Sequence, residues 1–138
     1  MIGNWFLRLG VLAALTGMGL GIVMGASHDH SLAPVHAHIN LVGFVSMFLA
    51  GLFYKVVPAA EGKAAGLHLG LATTGLVLIA PGIAGAVLSK PWGEPVAIAG
   101  SLVTISAMLV FAAIVTAHTR RAPAASRIAM PATSALNG

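Results

Sequence analysis

Four of the six histidines stand close together in one short stretch, and an imidazole can hold a metal or move a proton. They are His28, His30, His36 and His38, with Asp29 among them. A long apolar run follows, so the cluster lies at the edge of a predicted membrane helix. An ionisable side chain at such a place marks a candidate functional site. We therefore expect the function of the protein to reside here.

His36 and His38 are separated by one residue. Two positions along an α-helix correspond to a rotation of about 200°, so the two rings leave opposite faces of the helix. They cannot both hold one small ion on one face, and we expect them to serve two separate partners. The plainer alternative is a pair of hydrated polar side chains at the membrane interface.

The stretch SHDHSLAPVHAHINLVGFVSMFLAGLFYKVVP, residues 27–58, resembles the tenth transmembrane helix of subunit I of the haem-copper oxidases. In that family a His-x-His pair ligates two haems from opposite faces of one helix. A His-Asp pair eight residues upstream lies beside a magnesium or manganese ion. His36 and His38 match the first pair, and His28 and Asp29 match the second. The match covers about thirty residues, and the residue between the two histidines is alanine where the family usually has an aromatic.

The resemblance implies a b-type haem on this helix, for electron transfer or for binding a diatomic gas. The residues that would contact the haem are His36, His38, Asn40, Gly43 and Met47. Asn40 could orient an imidazole or bridge two helices. Gly43 and Met47 follow His36 on one face of the helix, and this flat stripe could accept a porphyrin or simply pack against another helix.

Oxygen reduction in the family needs a copper ion held by three further histidines, one of them linked to a tyrosine. The remaining histidines, His68 and His118, fall at the opposite membrane face from the cluster, and we interpret them as interfacial polar residues. The sole tyrosine, Tyr54, falls at that face too. The sequence therefore argues against full oxygen-reductase activity.

The composition is that of an integral membrane protein. Apolar residues make up 58% of the 138 residues and charged residues 7%, where soluble domains carry about 25%. Seven basic residues against three acidic ones are too few to form a nucleic-acid surface. Cysteine is absent, so any bound metal must be held by His, Met, Asp or backbone groups.

The apolar runs predict an all-α bundle of four transmembrane helices in a single domain, residues 1–138. The predicted spans are about 5–26, 34–57, 64–88 and 95–117, with short loops between them. Residues 118–138 are rich in small residues and are predicted to be partly disordered. Subunit I of cytochrome c oxidase is a ring of three four-helix arcs, and the chain resembles one such arc.

Basic residues predict the orientation, because lysine and arginine favour the cytoplasmic side of a membrane. One side carries Arg8, Lys55, Lys63, Arg120, Arg121 and Arg127, and the other carries only Lys90. We expect a multi-pass protein of a bacterial inner membrane with both termini in the cytoplasm. The histidine cluster then faces the periplasm.

A homotrimer would let His36 of one copy face His38 of the next, with a haem between them. Gly17, Gly21 and Gly25 form a ladder of small residues on the first helix that lets another backbone approach. This ladder could pack within one chain or between copies. The expected partners are lipid, further copies of the chain and a redox protein.

Two other functions remain open from the sequence. The residues His28, Asp29, His30, His36 and His38 could instead collect Cu or Zn without haem, for handling or transport. If His36 and His38 hold a haem, the loop of His28, Asp29 and His30 could bind a divalent metal (Cu, Zn, Mg or Mn) near the haem edge. The chain could also be a purely structural subunit of a respiratory complex. The opposite-face spacing of His36 and His38 favours a macrocycle over one compact ion site.

Overall fold

The computed structural model describes residues 1–119, which form four long helices. Helix α1 spans Ile2–Ser27, α2 spans Ala33–Val56, α3 spans Lys63–Val87 and α4 spans Gly93–Thr119. Each is long and apolar enough to cross a membrane. The predicted all-α architecture, with four helices long and apolar enough to span a membrane, is thus confirmed. The predicted disordered tail lies, from residue 120 onward, outside the described residues.

The loops divide the bundle into two ends. Residues 28–32 and 88–92 lie at one end, which we term the upper end. Residues 57–62, including a 3₁₀ turn at Pro58–Ala60, lie at the lower end. The histidine cluster is therefore at the upper end.

Helices α1 and α2 pack as a hairpin through glycines spaced seven residues apart. Added methyl groups on Gly3, Gly10 and Gly17 would meet Tyr54, Phe48 and Asn40 of α2, respectively. Seven residues are close to two helical turns, so the three glycines lie on one stripe. The missing side chains let larger residues of α2 lie against the backbone of α1.

Helices α3 and α4 form a second hairpin with still closer backbone contact. A side chain on Gly82, Gly93 or Gly100 would run into the backbone of the facing helix. The turn between them is closed by Ser89, whose φ is 54°, and by the Lys90 N–H donating to the Gly85 carbonyl at 2.8 Å. This left-handed residue with its backward hydrogen bond is a Schellman-type helix end.

The middle of α2 is not a regular α-helix. Residues Ile39–Ser46 form a π-helix, with hydrogen bonds that reach five residues back instead of four. The regular α-helix resumes at Met47. The π-helical turns change the direction in which later side chains leave the helix, and π-helical segments occur frequently at functional sites.

The two hairpins meet in a core at the lower end of the bundle. This core contains Phe6, Met47, Ala50, Tyr54, Ala60, Ala65 and Ile114. Higher up, the hairpins are separated by two clefts that share Met47 as a wall. The fold therefore joins the hairpins firmly at the end opposite to the histidine cluster.

Candidate functional site

His36 lies between α2 and α1 and is half-buried. Its Nδ1 atom is 2.8 Å from the backbone carbonyl oxygen of Gly17. Its Cε1 atom lies only 3.0 Å from the place where a side chain on Gly21 would begin. The ring thus occupies space that two glycines of α1 leave free. This contact places Gly17 and Gly21 of the ladder in packing within one chain, while Gly25 faces open space.

His38 is also half-buried, and it makes its hydrogen bond within α2. Its Nδ1 atom is 2.7 Å from the carbonyl oxygen of Pro34, one turn earlier. That carbonyl belongs to the first helical turn, where Pro34 suits the helix start because its missing N–H needs no partner. The two rings therefore make separate contacts, His36 with α1 and His38 with its own helix.

The two carbonyl contacts define which ring nitrogen is available for ligation. A carbonyl oxygen only accepts hydrogen bonds, so in each contact the Nδ1 atom of the imidazole carries the proton. The Nε2 atom of each neutral ring then carries the lone pair, and in His36 the side-chain amide nitrogen of Asn40 lies 3.4 Å from this atom. Metal-ligating histidines commonly donate their other ring N–H to a backbone carbonyl in this way. The donor chemistry of both rings fits a metal-centred group.

Asn40 sits directly beside His36. Its side-chain amide donates to the His36 backbone carbonyl at 2.9 Å, and the amide nitrogen lies 3.4 Å from Nε2 of the ring. It also fills the space opposite Gly17, where a side chain would overlap it. The four-residue spacing puts Asn40 on the same face of α2 as His36. Asn40 therefore packs against α1 at Gly17 and limits the movement of the imidazole.

Gly43 and Met47 lie inside the bundle. A side chain on Gly43 would collide with Ala13 and Leu76, and Met47 is 2% exposed. The sequence left open whether the stripe of Gly43 and Met47 accepts a porphyrin or packs against another helix. The structure shows packing against α1 and α3.

The loop that holds His28, Asp29 and His30 is exposed. His28 ends α1 in the left-handed conformation, with φ 56°. The Asp29 carboxylate accepts hydrogen bonds from the Ser31 hydroxyl and, at 2.9 Å, from the Ser31 N–H. These bonds from Ser31 lower the pKa of Asp29 below its ordinary value. Within residues 1–119 no group of three or more His, Cys, Asp or Glu side chains is arranged to hold a metal ion.

The two clefts between the hairpins differ in size and position. The larger one, about 260 Å³, lies among α1, α2 and α3 and has an almost wholly apolar lining that includes Leu12, Ile39 and Pro81. The smaller one, about 140 Å³, lies among α2, α3 and α4. Neither is lined by His36 or His38. A macrocycle at these rings would therefore lie on the outer surface of the chain.

A second polar centre lies at the lower end of the bundle. Reasoning from the sequence did not identify it. The Tyr54 hydroxyl and the Nδ1 atom of His68 are 2.9 Å apart, and the two residues are 1% and 2% exposed. Phe6 stacks on Tyr54, and Phe111 stacks on His68. Our interpretation of His68 as an interfacial residue is thus wrong. The available signal was that the only tyrosine and a histidine fall at similar depths in consecutive spans.

His118 differs from His68 in being partly exposed. Its Nε2 atom lies 3.2 Å from the Ala59 carbonyl oxygen, in the segment between α2 and α3. This position agrees with an interfacial side chain.

No protein-family model, no curated protein and no solved structure matches the chain. Function is therefore argued from the site itself.

Proposed function

We propose that the protein binds b-type haem through His36 and His38 and serves in electron transfer or diatomic gas binding. The observation that carries the proposal is that both imidazoles direct Nδ1 to a backbone carbonyl, at 2.8 Å and 2.7 Å. Each ring is thereby oriented with Nε2 as the ligand atom. When bound, the haem would supply a one-electron couple or a binding position for a diatomic gas.

The chain's own residues hold the proposed ligands in place. Gly17 accepts the Nδ1 proton of His36, which selects the tautomer of the ring. Asn40 stands against the same ring and restrains its rotation. Pro34 gives His38 the corresponding carbonyl partner.

A homotrimer accompanies this proposal. The rings of His36 and His38 leave opposite faces of one helix, so a haem held by one His36 and one His38 would need a second copy of the chain. The half-burial of both rings leaves part of each accessible to such a partner. A redox protein would then dock at the same end of the bundle.

The orientation proposed is that of a bacterial inner-membrane protein with its upper end in the periplasm. Among the described residues, Arg8, Lys55 and Lys63 lie toward the lower end and Lys90 lies in an upper loop. This asymmetry supports cytoplasmic termini.

The divalent-metal alternative is less well supported by the arrangement of the loop. The Asp29 carboxylate is already engaged by Ser31, and the loop side chains do not converge with His36 and His38 into one ligand set within residues 1–119. Elemental analysis of the purified protein and of a His28→Ala, Asp29→Ala variant tests it. A stoichiometric metal that this variant loses would establish the metal site.

The haem proposal is tested by the visible spectrum of the protein expressed with sufficient haem supply. We expect a Soret band that falls strongly in His36→Ala and in His38→Ala and disappears in the double variant. His118→Ala is the matched control, because His118 is also helical and also contacts the carbonyl four residues earlier. An unchanged haem content in the double variant refutes the ligand assignment.

Native mass spectrometry of the haem-loaded protein in detergent tests the assembly. We expect a trimer with about one haem per chain. A haem-loaded monomer would show that one axial ligand suffices, and the shared-haem arrangement would then be wrong.

A further inference from the structure

A groove, which we term the α1–α3 groove, runs along the outside of the bundle between α1 and α3. Its deepest part is the larger cleft, of about 260 Å³, which lies between residues 9–16 of α1 and residues 73–81 of α3. Leu12 and Val77, which line the cleft, are 59% and 63% exposed. The groove is therefore open on the side that faces lipid in a membrane.

The groove continues from the cleft toward the lower end over two glycines of α3. Gly66, Gly70, Thr73 and Val77 follow one another at spacings of four, three and four residues, so they lie on one face of the helix. A side chain added to Gly66 or Gly70 would meet nothing within 4 Å. The lower part of this wall is therefore bare backbone beside open space.

A cation stands on each side of the lower mouth of the groove. Arg8 directly precedes Leu9 of the cleft wall, and its Cζ atom lies 5.6 Å from the centre of the Trp5 ring, one turn closer to the lower end. Lys63 begins α3, three residues before Gly66. Both cationic side chains are exposed. The apolar groove thus ends in a positively charged mouth at the membrane interface.

Few acidic side chains are available to these two cations. The sequence contains three acidic residues, and two of them, Asp29 and Glu94, lie at the upper end. The third, Glu61, accepts a hydrogen bond from the Gly3 N–H at 3.0 Å, on the stripe of α1 that faces α2. A second copy of the chain would bring the same engaged carboxylate to this end. The charge of the mouth is therefore complementary to an anion from outside the protein.

We propose that the α1–α3 groove is a binding site for one phospholipid with an anionic headgroup. Arg8 and Lys63 hold the headgroup phosphate, and one acyl chain passes over Gly66 and Gly70 into the cleft. Guanidinium and ammonium groups bind phosphate through charge-assisted hydrogen bonds, and basic pockets between transmembrane helices bind anionic headgroups. The positive choline group of a zwitterionic lipid would meet the same two cations and be repelled.

The length of the groove suits an acyl chain of one leaflet. Half of a hydrocarbon core of about 30 Å is about 15 Å, which corresponds to about ten helical residues. Ten residues after Gly66 along α3 is Leu76, which lines the cleft. An acyl chain that starts beside Gly66 therefore ends inside the cleft.

The floor of the groove is too narrow for a helix. Ala13 of α1 and Leu76 of α3 come within 2.8 and 3.0 Å of one point, the place where a side chain on Gly43 would begin. A helix is roughly 10–12 Å across with its side chains and does not reach a floor between walls this close. A single hydrocarbon chain does.

Native mass spectrometry of the delipidated protein tests the headgroup, after incubation with equal amounts of phosphatidylglycerol and phosphatidylcholine. We expect one phosphatidylglycerol to be retained per chain, with at least five-fold preference over phosphatidylcholine. Arg8→Gln and Lys63→Gln should each reduce this preference at least three-fold. Lys90→Gln removes a cation at the upper end and should leave the preference unchanged. Equal retention of the two lipids by the native protein refutes the site.

Gly70→Leu tests the groove without a change of charge. The new side chain begins in open space, so the fold tolerates it, but it occupies the path of the acyl chain. We expect Gly70→Leu to lower the retention of phosphatidylglycerol at least three-fold. Gly25→Leu is the matched control, because Gly25 also faces open space and lies near the upper end.

Two results of this substitution would overturn the proposal. If Gly70→Leu retains phosphatidylglycerol like the native protein, the cations hold lipid without the groove. If Gly70→Leu instead breaks the protein into smaller oligomers while lipid retention is unchanged, a second copy of the chain covers the groove.

Discussion

The hydrogen bond between Tyr54 and His68 should be a main link between the two hairpins. Tyr54 belongs to α2 and His68 to α3, and both side chains are almost fully buried. Tyr54→Phe keeps the ring and its stacking on Phe6 but removes the oxygen that lies 2.9 Å from Nδ1 of His68. The histidine nitrogen is then left buried without its partner.

The size of the effect follows from two limits. An unpaired buried polar group costs about 1–3 kcal/mol, and hydrogen bonds measured in a membrane protein average about 0.6 kcal/mol with a maximum near 1.7. Since Tyr54 and His68 are 1% and 2% exposed, water replaces the lost bond poorly. We expect Tyr54→Phe to lower the free energy of unfolding by about 1–2 kcal/mol.

A double-mutant cycle in mild detergent measures this coupling. The cycle compares Tyr54→Phe, His68→Phe and the double variant by reversible unfolding. The double variant should be less destabilised than the sum of the single variants by about 1 kcal/mol, because neither polar group is then left unpaired. Ser106→Ala, which removes an exposed hydroxyl of α4, is the control and should change stability by less than about 0.5 kcal/mol. Strict additivity of the two substitutions would refute the reasoning.

Two further predictions concern the upper end. Gly25 faces open space, so Gly25→Ala should stabilise α1 by up to about 1 kcal/mol. Gly21→Ala should stabilise α1 less or destabilise it, because the added methyl group meets the His36 ring. Equal effects of the two substitutions on the free energy of unfolding would contradict this contact. Ser31→Ala should raise the pKa of Asp29 toward its ordinary value, because both lowering hydrogen bonds come from Ser31 and the hydroxyl bond is lost. Because the pKa of Asp29 is lowered in the folded protein, any stability that this turn contributes is present at neutral pH and is lost as the pH falls through that pKa. NMR titration measures the pKa of Asp29 in both proteins. An unchanged pKa in Ser31→Ala would contradict the role of the Ser31 hydroxyl.

The membrane spans could be read from the sequence because hydropathy is a local property. The predicted span 34–57 and the observed Ala33–Val56 differ by one residue at each end. Apolar side chains in a row of more than twenty residues are sufficient to define such a helix, whatever it packs against. The position of Asn40, two residues after His38, likewise predicted that its side chain could orient an imidazole or bridge two helices.

The internal faces of the helices could not be read in the same way. All four helices are apolar on every side, so hydropathy does not distinguish a lipid-facing residue from a buried one. The glycine contacts of α3 and α4 and the interior position of Met47 therefore depended on how the helices approach one another. The same holds for His68, which hydropathy places near a membrane face.

The sequence by itself determined the number and limits of the spans, the absence of cysteine chemistry and the opposite-face arrangement of His36 and His38. Only the tertiary structure decided that the His36 ring lies against Gly17 and that Tyr54 and His68 form a buried pair. It also decided that Thr104 has no partner within residues 1–119. In a membrane protein, small residues and hydrogen bonds between helices determine which side chains lie in the interior of the bundle and which face the lipid. These contacts depend on neighbours that are distant in the chain.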